Sequence, residues 1–425
     1  MMLNSASCKI WQKQKLGCLF SFHRSLSASR AQLGEIGIPY LHYGDIHKTG
    51  KTSFDPEKDE LPKLDYRENA ERYLLKNGDI VFVDASEDRK DVSRFCVIKN
   101  KNDIPFLAGL HTVVARPTSS ELNINFSEFL FQSDDFKRQV SILANGMKVF
   151  GVSKDILSNI VIHYPENTTE QEKIAEILGT WDSAIEKLTA LIAAKCLQKK
   201  GLMQKLLTAQ IRLPGFTGEW QKQTLGCLFS FHHSLSASRA QLGGIGIPYL
   251  HYGDIHKTGK TSFNPETDEL PKLDYRENAE KYLLKNGDVV FVDASEDRKD
   301  ASRFCVIKNK NNVPFLAGLH TVVARPKSDE LNVDFSEFLF QSNDFRKQVS
   351  ILANGMKIFG VSKDILSNIV IQYPQNIVEQ KAIADILSKA DEEIDLLTRK
   401  LDLIQSQKKG LMQQLLTGKI RVKVA

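Results

Sequence analysis

A chain of 425 residues, 42% apolar and 26% charged, exceeds what one hydrophobic core usually organises, so two globular units are expected and collagen-like, low-complexity and wholly disordered classes are excluded. With 57 basic against 52 acidic residues the net charge is +5, which permits nucleic acid as a partner without requiring it. No run approaches the roughly 18 consecutive apolar residues of a membrane span, and the cysteines form neither a C-x-x-C clip nor a dense framework, so a reducing cytoplasm is the expected location.

In chain order, residues 1–30 carry Lys, Arg, Ser and the apolar patch Cys18-Leu19-Phe20, a composition like that of a targeting segment. Nearly the same string recurs at 223–231, in mid-chain, so it is expected to belong to a domain. Gly44 to Thr52 resembles a phosphate-cradling loop but has five residues between its glycines where that geometry needs four, so a basic turn is expected, with donors at Tyr43, Lys48 and Lys51 suited to a nucleic-acid backbone. Gly78-Asp79 reads as a turn feeding the strand 80–84, and 111–116 as a second strand closed by Pro117. His111 reads as a satisfied core histidine. Residues 126–144 carry helical spacing, with Asn145-Gly146 as a left-handed cap, and 148–152 read as a strand or extended loop. Pro165 closes the domain, and Glu170-Gln171 leads into a long helix.

That helix has apolar positions stepping by four and three: Ile174, Leu178, Trp181, Ile185, Leu188 and Ile192, then Lys195, Lys199, Leu202 and Leu206. The alternation is a heptad seam, and roughly 37 residues at 1.5 Å each make a spacer of about 55 Å. A second seam runs through Ile383, Leu387, Ala390, Ile394, Leu397, Leu401 and Ile404. Two such helices can cover each other, so an antiparallel coiled coil is expected.

Trp11 matches Trp220, and the offset of 209 holds without a gap through Thr208 and Thr417, so the chain is a tandem repeat. Residues 11–165 and 220–374 differ at only about 19 of 155 positions, whereas 166–208 and 375–417 agree at only about 21 of 43. Near-identical α+β domains therefore alternate with divergent helices, and the expected boundaries are 1–165, 166–213, 214–374 and 375–425. In the helices large Trp181 corresponds to small Ala390, so the halves are not interchangeable.

Two further segments invite chemistry. Asp79 with Asp88-Arg89-Lys90 satisfies a loose pattern in which two carboxylates hold a divalent metal and a lysine assists phosphodiester cleavage. That pattern needs a strand to aim its side chains, and 85–91 is continuously polar, so a solvated loop touching DNA through Arg89, Lys90 and Arg94 is favoured. Asn145-Gly146-Met147-Lys148 joins a tight cap to a lysine that could approach DNA. The second copy repeats these candidates at Tyr252, Lys257, Lys260, Arg298, Lys299, Arg303 and Lys357. The histidines show no metal-ligand spacing, and no nucleophile motif or glycine-rich cofactor loop occurs.

The layout resembles the DNA-specificity subunit of type I restriction-modification systems. The resemblance rests on Tyr43-Gly44-Asp45-Ile46, 76–81, 111–117, the junction 151–171, Ile174 to Leu178 and the run 199–208, each present twice in this order. It implies two target-recognition domains that each read a half-site on double-stranded DNA, and paired helices that fix their separation and dock two methyltransferase subunits. It also implies restriction and translocase subunits, with S-adenosylmethionine, ATP and magnesium on the partners and no cofactor, metal or membrane association on this chain. Because the two readers are nearly equal, the expected target is an interrupted palindrome. Two rival readings, a stand-alone metal nuclease using Asp88 and Asp297 and a coiled-coil adaptor without DNA preference, would differ in cleavage with magnesium alone and in sequence discrimination.

Overall fold

A computed structural model describes residues 11–65, 70–88, 91–146, 150–274, 279–295, 303–353 and 359–423. The chain forms two compact units, Met1–Thr189 with Arg399–Ala425, and Ala190–Thr398. Each long helix therefore gives one half to each unit.

The first unit runs β1 (Trp11–Lys15), α1 (Leu16–Leu19), β2 (Phe20–Arg24), β3 (Leu33–Gly34), β4 (Ile38–Leu41), α2 (Tyr43–Thr49), β5 (Ser53–Phe54), β6 (Lys63–Leu64) and β7 (Ile80–Val83). It continues through β8 (Ala85–Ser86), β9 (Phe95–Ile98), β10 (Leu107–Ala108), β11 (Thr112–Pro117), α3 (Ile124–Leu130) and α4 (Asp134–Leu143). Then come β12 (Phe150–Gly151), α5 (Lys154–Asn159), β13 (Val161–Pro165) and the long α6 (Thr168–Leu206).

The main sheet has the order β2-β11-β7-β9-β5, antiparallel except where β5 joins β9. Its central strands are uninterrupted apolar runs because both faces are covered. Ile80, Phe82, Phe95, Val97, Val113 and Ala115 point into a core shared with the helices. Val81, Val83, Cys96, Ile98 and Val114 point into a second core under α2 and β4. A smaller sheet, β10-β4-β6-β3, closes that side.

Residues 126–144 are not one helix. Phe131 ends α3, and Ser133 restarts the chain as the cap of α4 by accepting the Phe136 N–H at 3.3 Å. The interruption lets Phe131 and Phe136 meet edge to face at 5.0 Å in the core. Nor is Asn145-Gly146 a left-handed helix cap: Ala144 is extended after α4, and Asn145 exchanges backbone hydrogen bonds with Gly151. The Gly44 to Thr52 segment, expected as a turn, is the helix α2 closed by left-handed Gly50 at φ 62°.

The start of α6 is fixed by two buried side chains. Gln171 donates to the Glu121 and Pro165 carbonyls and accepts the Asn123 N–H, so all its bonds tie strand, loop and helix together. Glu170, 1% exposed, receives a bidentate pair from Arg421 at 2.7 Å. Further along, Asp182 pairs with Lys408, whose ammonium lies 5.5 Å from the Phe129 ring. As α6 advances from 170 to 182, the second long helix (Ile377–Leu415) and its tail retreat from 421 to 408, so the two segments run antiparallel. Ile174, Ala175 and Leu178 enter the core beside Leu415 and Leu416.

In the second unit every one of these pairs recurs with the helices exchanged. Arg212 grips Glu379 at 2.7 and 2.8 Å, Lys199 pairs with Asp391, and Leu206 and Leu207 lie in one core with Ile383, Ala384 and Leu387. Along the seam Ile174, Leu178, Ile383 and Leu387 are buried, and Trp181, Ile185, Leu188, Ile192, Ile394, Leu397, Leu401 and Ile404 are partly buried.

The helix ends generate two expectations. Replacing Arg421 by Ala leaves Glu170 buried without its partner, and we expect a loss of about 3 kcal/mol in denaturant unfolding of that unit, the low end for a buried pair because Arg421 is partly solvated. After each long helix one residue is left-handed: Gly418 at φ 71°, where a Cβ would fall 2.9 Å from the Trp11 ring, and Ala209 at φ 57°. Ala209→Gly should therefore stabilise its unit by about 0.5 to 1 kcal/mol, whereas Gly418→Ala should destabilise by more than that, measured in the same unfolding experiment.

Candidate nucleic-acid interface

One end of the main sheet gathers most of the polar candidates that the structure describes. The strand β4 stops at Leu41, and His42 caps α2 by accepting the Gly44 N–H at Nδ1, 3.1 Å away. Tyr43 follows, half-buried, with its ring 6.1 Å from His47 and 5.4 Å from His111, in both cases edge to face. His47 faces Asp91 and Arg94; burial holds its imidazole below the usual value, Asp91 opposing and Arg94 assisting. Arg94 pairs with Asp91 at 3.1 Å, and its guanidinium lies beside Gly50. Lys48 stands exposed on the last turn of α2. Lys51 is exposed too but is engaged with Asp59 and lies 5.9 Å from the Phe54 ring.

The pairing of β8 with β12 brings the loop after Ser86 and the segment around Asn145 to this same edge. Arg89, Lys90 and Lys148, and their second-copy equivalents Arg298, Lys299 and Lys357, lie outside the described residues. In the second unit Tyr252 repeats the ring contacts with His256 at 6.1 Å and His320 at 5.4 Å. Lys257 is exposed, Lys260 engages Asp268, and Arg303 adjoins Gly259.

His111 is not a core histidine. Its side chain is 49% exposed, and its backbone is left-handed at φ 58°, a region where His is tolerated better than most side chains but still strained. The turn that carries it is pinned from below. Buried Tyr40 accepts the Leu110 N–H at 2.9 Å and the Ala28 N–H at 2.9 Å while donating to the Leu26 carbonyl at 2.7 Å. Gly109 must be glycine, since a Cβ there would fall 2.4 Å from the Tyr40 ring. The Asp84 N–H donates to the His111 carbonyl at 3.0 Å, and the Asp84 carboxylate lies 3.4 Å from His111 Nδ1. Burial pushes the Asp84 carboxyl above the usual range, against the lowering effect of His111. The second copy repeats the arrangement at Asp293 and His320, again at 3.4 Å with φ 58°.

The carboxylates of the metal pattern do not converge. Asp79 is fully buried and committed to Arg116, which donates from Nε at 2.9 Å and Nη2 at 2.6 Å, and to the Lys76 N–H at 2.8 Å. Among the described residues no group of three or more His, Cys, Asp or Glu could hold a metal ion. Asp297 lies outside them. No described helix is long and apolar enough to cross a membrane.

A model of the type I restriction modification DNA specificity domain matches the chain twice, at 9–194 and 218–406. The chain belongs to this family. A putative type I restriction enzyme specificity subunit of Methanocaldococcus jannaschii is 24% identical over 97% of the chain and 94% of its own length. A second specificity subunit from that organism is 28% identical over 69% of the chain and 70% of its own length. The fold is similar to that of a type I S subunit from M. genitalium, with a TM-score of 0.56 and 14% identity over 100% of this chain and 99% of that one. A chain from a type I restriction-modification assembly gives a TM-score of 0.57 at 15% identity, covering 96% and 98%. In this family the specificity chain selects DNA targets while catalysis belongs to other subunits.

Proposed function

We propose that this type I specificity chain directs methylation and restriction to an interrupted palindrome, with its two recognition domains reading equal half-sites. The observation that carries this reading is the equality of the two readers. The described side chains at the sheet end, Tyr43, His47, Lys48, Asp84, Arg94 and His111, have identical residue types at the 209 offset, and so do Arg89, Lys90 and Lys148. Equal surfaces read equal base patterns. The antiparallel course of the helix segments within each unit supports an inverted order of those patterns. The differing positions, among them Arg24 against His233, Glu35 against Gly244 and Asp55 against Asn264, lie outside that set and are expected to tune affinity weakly.

The proposed partners are double-stranded DNA, two methyltransferase subunits docked on the helices, and restriction and translocase subunits, all in the cytoplasm. S-adenosylmethionine is assigned to the methyltransferases, and ATP and magnesium to the translocase. A net charge of +5 gives modest nonspecific attraction, so the partner subunits supply part of the grip on DNA. In this reading Tyr43, Lys48, Lys51, Arg89, Lys90, Arg94 and Lys148, with Tyr252, Lys257, Lys260, Arg298, Lys299, Arg303 and Lys357, make up the DNA-facing set. Phosphate contacts among them fix register, and base contacts supply discrimination.

Mapping methylated bases in cells that carry this chain with its cognate modification subunits should yield two inverted copies of one short motif; two unrelated half-sites would defeat the palindrome. Lys48→Ala with Lys257→Ala should weaken binding of that target evenly across sequence variants and reduce the slope of log affinity against log salt by about 1 per lost phosphate contact, measured by titration of the assembled complex.

A further inference from the structure

We propose that His111 and His320, each braced by a carboxylate on its Nδ1 side, are base-reading residues that accept a hydrogen bond at Nε2 from an exocyclic amino group in the major groove. The proposal rests on the DNA-reading function above and names the side chains that do the reading.

The first support is the orientation of the ring. Asp84 Oδ1 is sealed from solvent and makes no well-formed hydrogen bond, and His111 Nδ1 lies 3.4 Å from it. A carboxylate on that side favours the tautomer with its proton on Nδ1, which leaves Nε2 as an acceptor. Adenine N6 and cytosine N4 are the donors that the major groove offers. The Tyr43 ring, perpendicular to the imidazole at 89°, limits its rotation. The sealed Asp84 oxygen then has a role: it selects which nitrogen of a half-exposed ring carries the proton.

The second support is the backbone. A left-handed residue other than glycine persists only where its surroundings enforce it, and such strain concentrates where a side chain must be aimed. Here the enforcement is on the page: Leu110 is tied to the Tyr40 hydroxyl, Thr112 Oγ1 to the Gly109 carbonyl at 2.6 Å, and the His111 carbonyl to Asp84 N–H. A turn needing only to close could carry Gly or Asn at this position. Instead both copies place an imidazole there, beside the same aspartate.

The third support is location. His111 touches Tyr43, Tyr43 touches His47, and His47 faces Arg94, so the braced ring sits within the aromatic and basic group already assigned to DNA. Those cations can hold phosphates; the dyad offers a directional acceptor, the kind of group that distinguishes bases.

The test uses the full chain with its modification subunits and reads methylated motifs from the genomic DNA of the cells. His111→Gly retains the left-handed turn without strain, so the fold should be kept and thermal unfolding should not fall. The expected result is loss of about tenfold in discrimination at one position of one half-site, the other half-site unchanged, and the same loss on both sides in His111→Gly with His320→Gly. Asp84→Asn should relax the same position, because its amide no longer selects the tautomer. A uniform fall in methylation with every position still discriminated would make the histidine a phosphate contact and overturn the proposal. An unchanged motif at unchanged occupancy would make it a turn residue and overturn it equally. Absence of any methylated motif with the unsubstituted chain would instead sink the functional reading on which it rests.

Discussion

Neither recognition domain closes its own core. The helix face of the first depends on Leu415 and Leu416, with Leu411, Met412 and Val422 against them, all from the far end of the chain. The second depends in the same way on Leu206 and Leu207, with Leu202, Met203 and Leu213. Burying such a set is worth several kcal/mol, at about 1.5 to 3 for each fully covered aliphatic side chain, a large share of the net stability of a domain. The polar contacts add direction to that burial. Glu170 with Arg421 and Glu379 with Arg212 are bidentate, with the carboxylates buried and the arginines partly solvated, so they fix where along the partner segment each helix begins. A sliding of either segment by one turn would strip a buried carboxylate of its partner, and this holds the antiparallel register more sharply than leucines alone would.

The gathering of polar side chains at one end of the main sheet follows from how the sheet is buried. Because β7, β9 and β11 are covered on both faces, their side chains are spent on packing and none remains for a ligand. Chemistry can only be presented where the strands stop. There the chain uses three devices: a short helix closed by a left-handed glycine, a two-residue strand pairing that gathers two loops, and a turn held by a buried tyrosine hydroxyl. Arg116 belongs to the scaffold; it anchors Asp79 and the Leu74 carbonyl at the other end of the β7–β11 pair. A surface built this way tolerates change in its loop residues so long as Tyr40 and Gly109 are kept.

The parts of this architecture visible in the sequence were those with a period or a repeat. The seam from Ile174 to Leu206 obeys a spacing that only a helix partly covered along one stripe produces, and the 209 offset needs no structure to be seen. The strands at 80–84 and 111–116 stood out as apolar runs after turn residues. What stayed hidden depended on contacts distant in sequence. Asp79 looked available to a metal because nothing nearby marks Arg116 as its partner. Phe126 to Ala144 looked like one helix because the break serves the packing of Phe131 on Phe136, while the Ser133-Asp134-Asp135 cap signal was the local clue. His111 beside Leu110 and an apolar strand looked like core, and its left-handed backbone is set by Tyr40 and Asp84, remote in the chain. Gly50 as the cap of α2 was legible in principle, since a glycine after a helical turn is the usual stop.

The unequal divergence of domains and helices has a physical reading in these contacts. The run Lys199 to Thr208 and its copy Lys408 to Thr417 differ only at Lys205 against Gln414, and these are the segments that reach into a recognition domain. Each such residue answers to a core and a helix at once, so few substitutions satisfy both. Between them the helices meet chiefly solvent and each other, and there pairs have changed together: Lys195 with Glu393 is an ion pair at 2.8 Å in one unit, whereas the equivalent positions in the other are Ile404 and Ala184. The seam constrains spacing and direction without constraining identity.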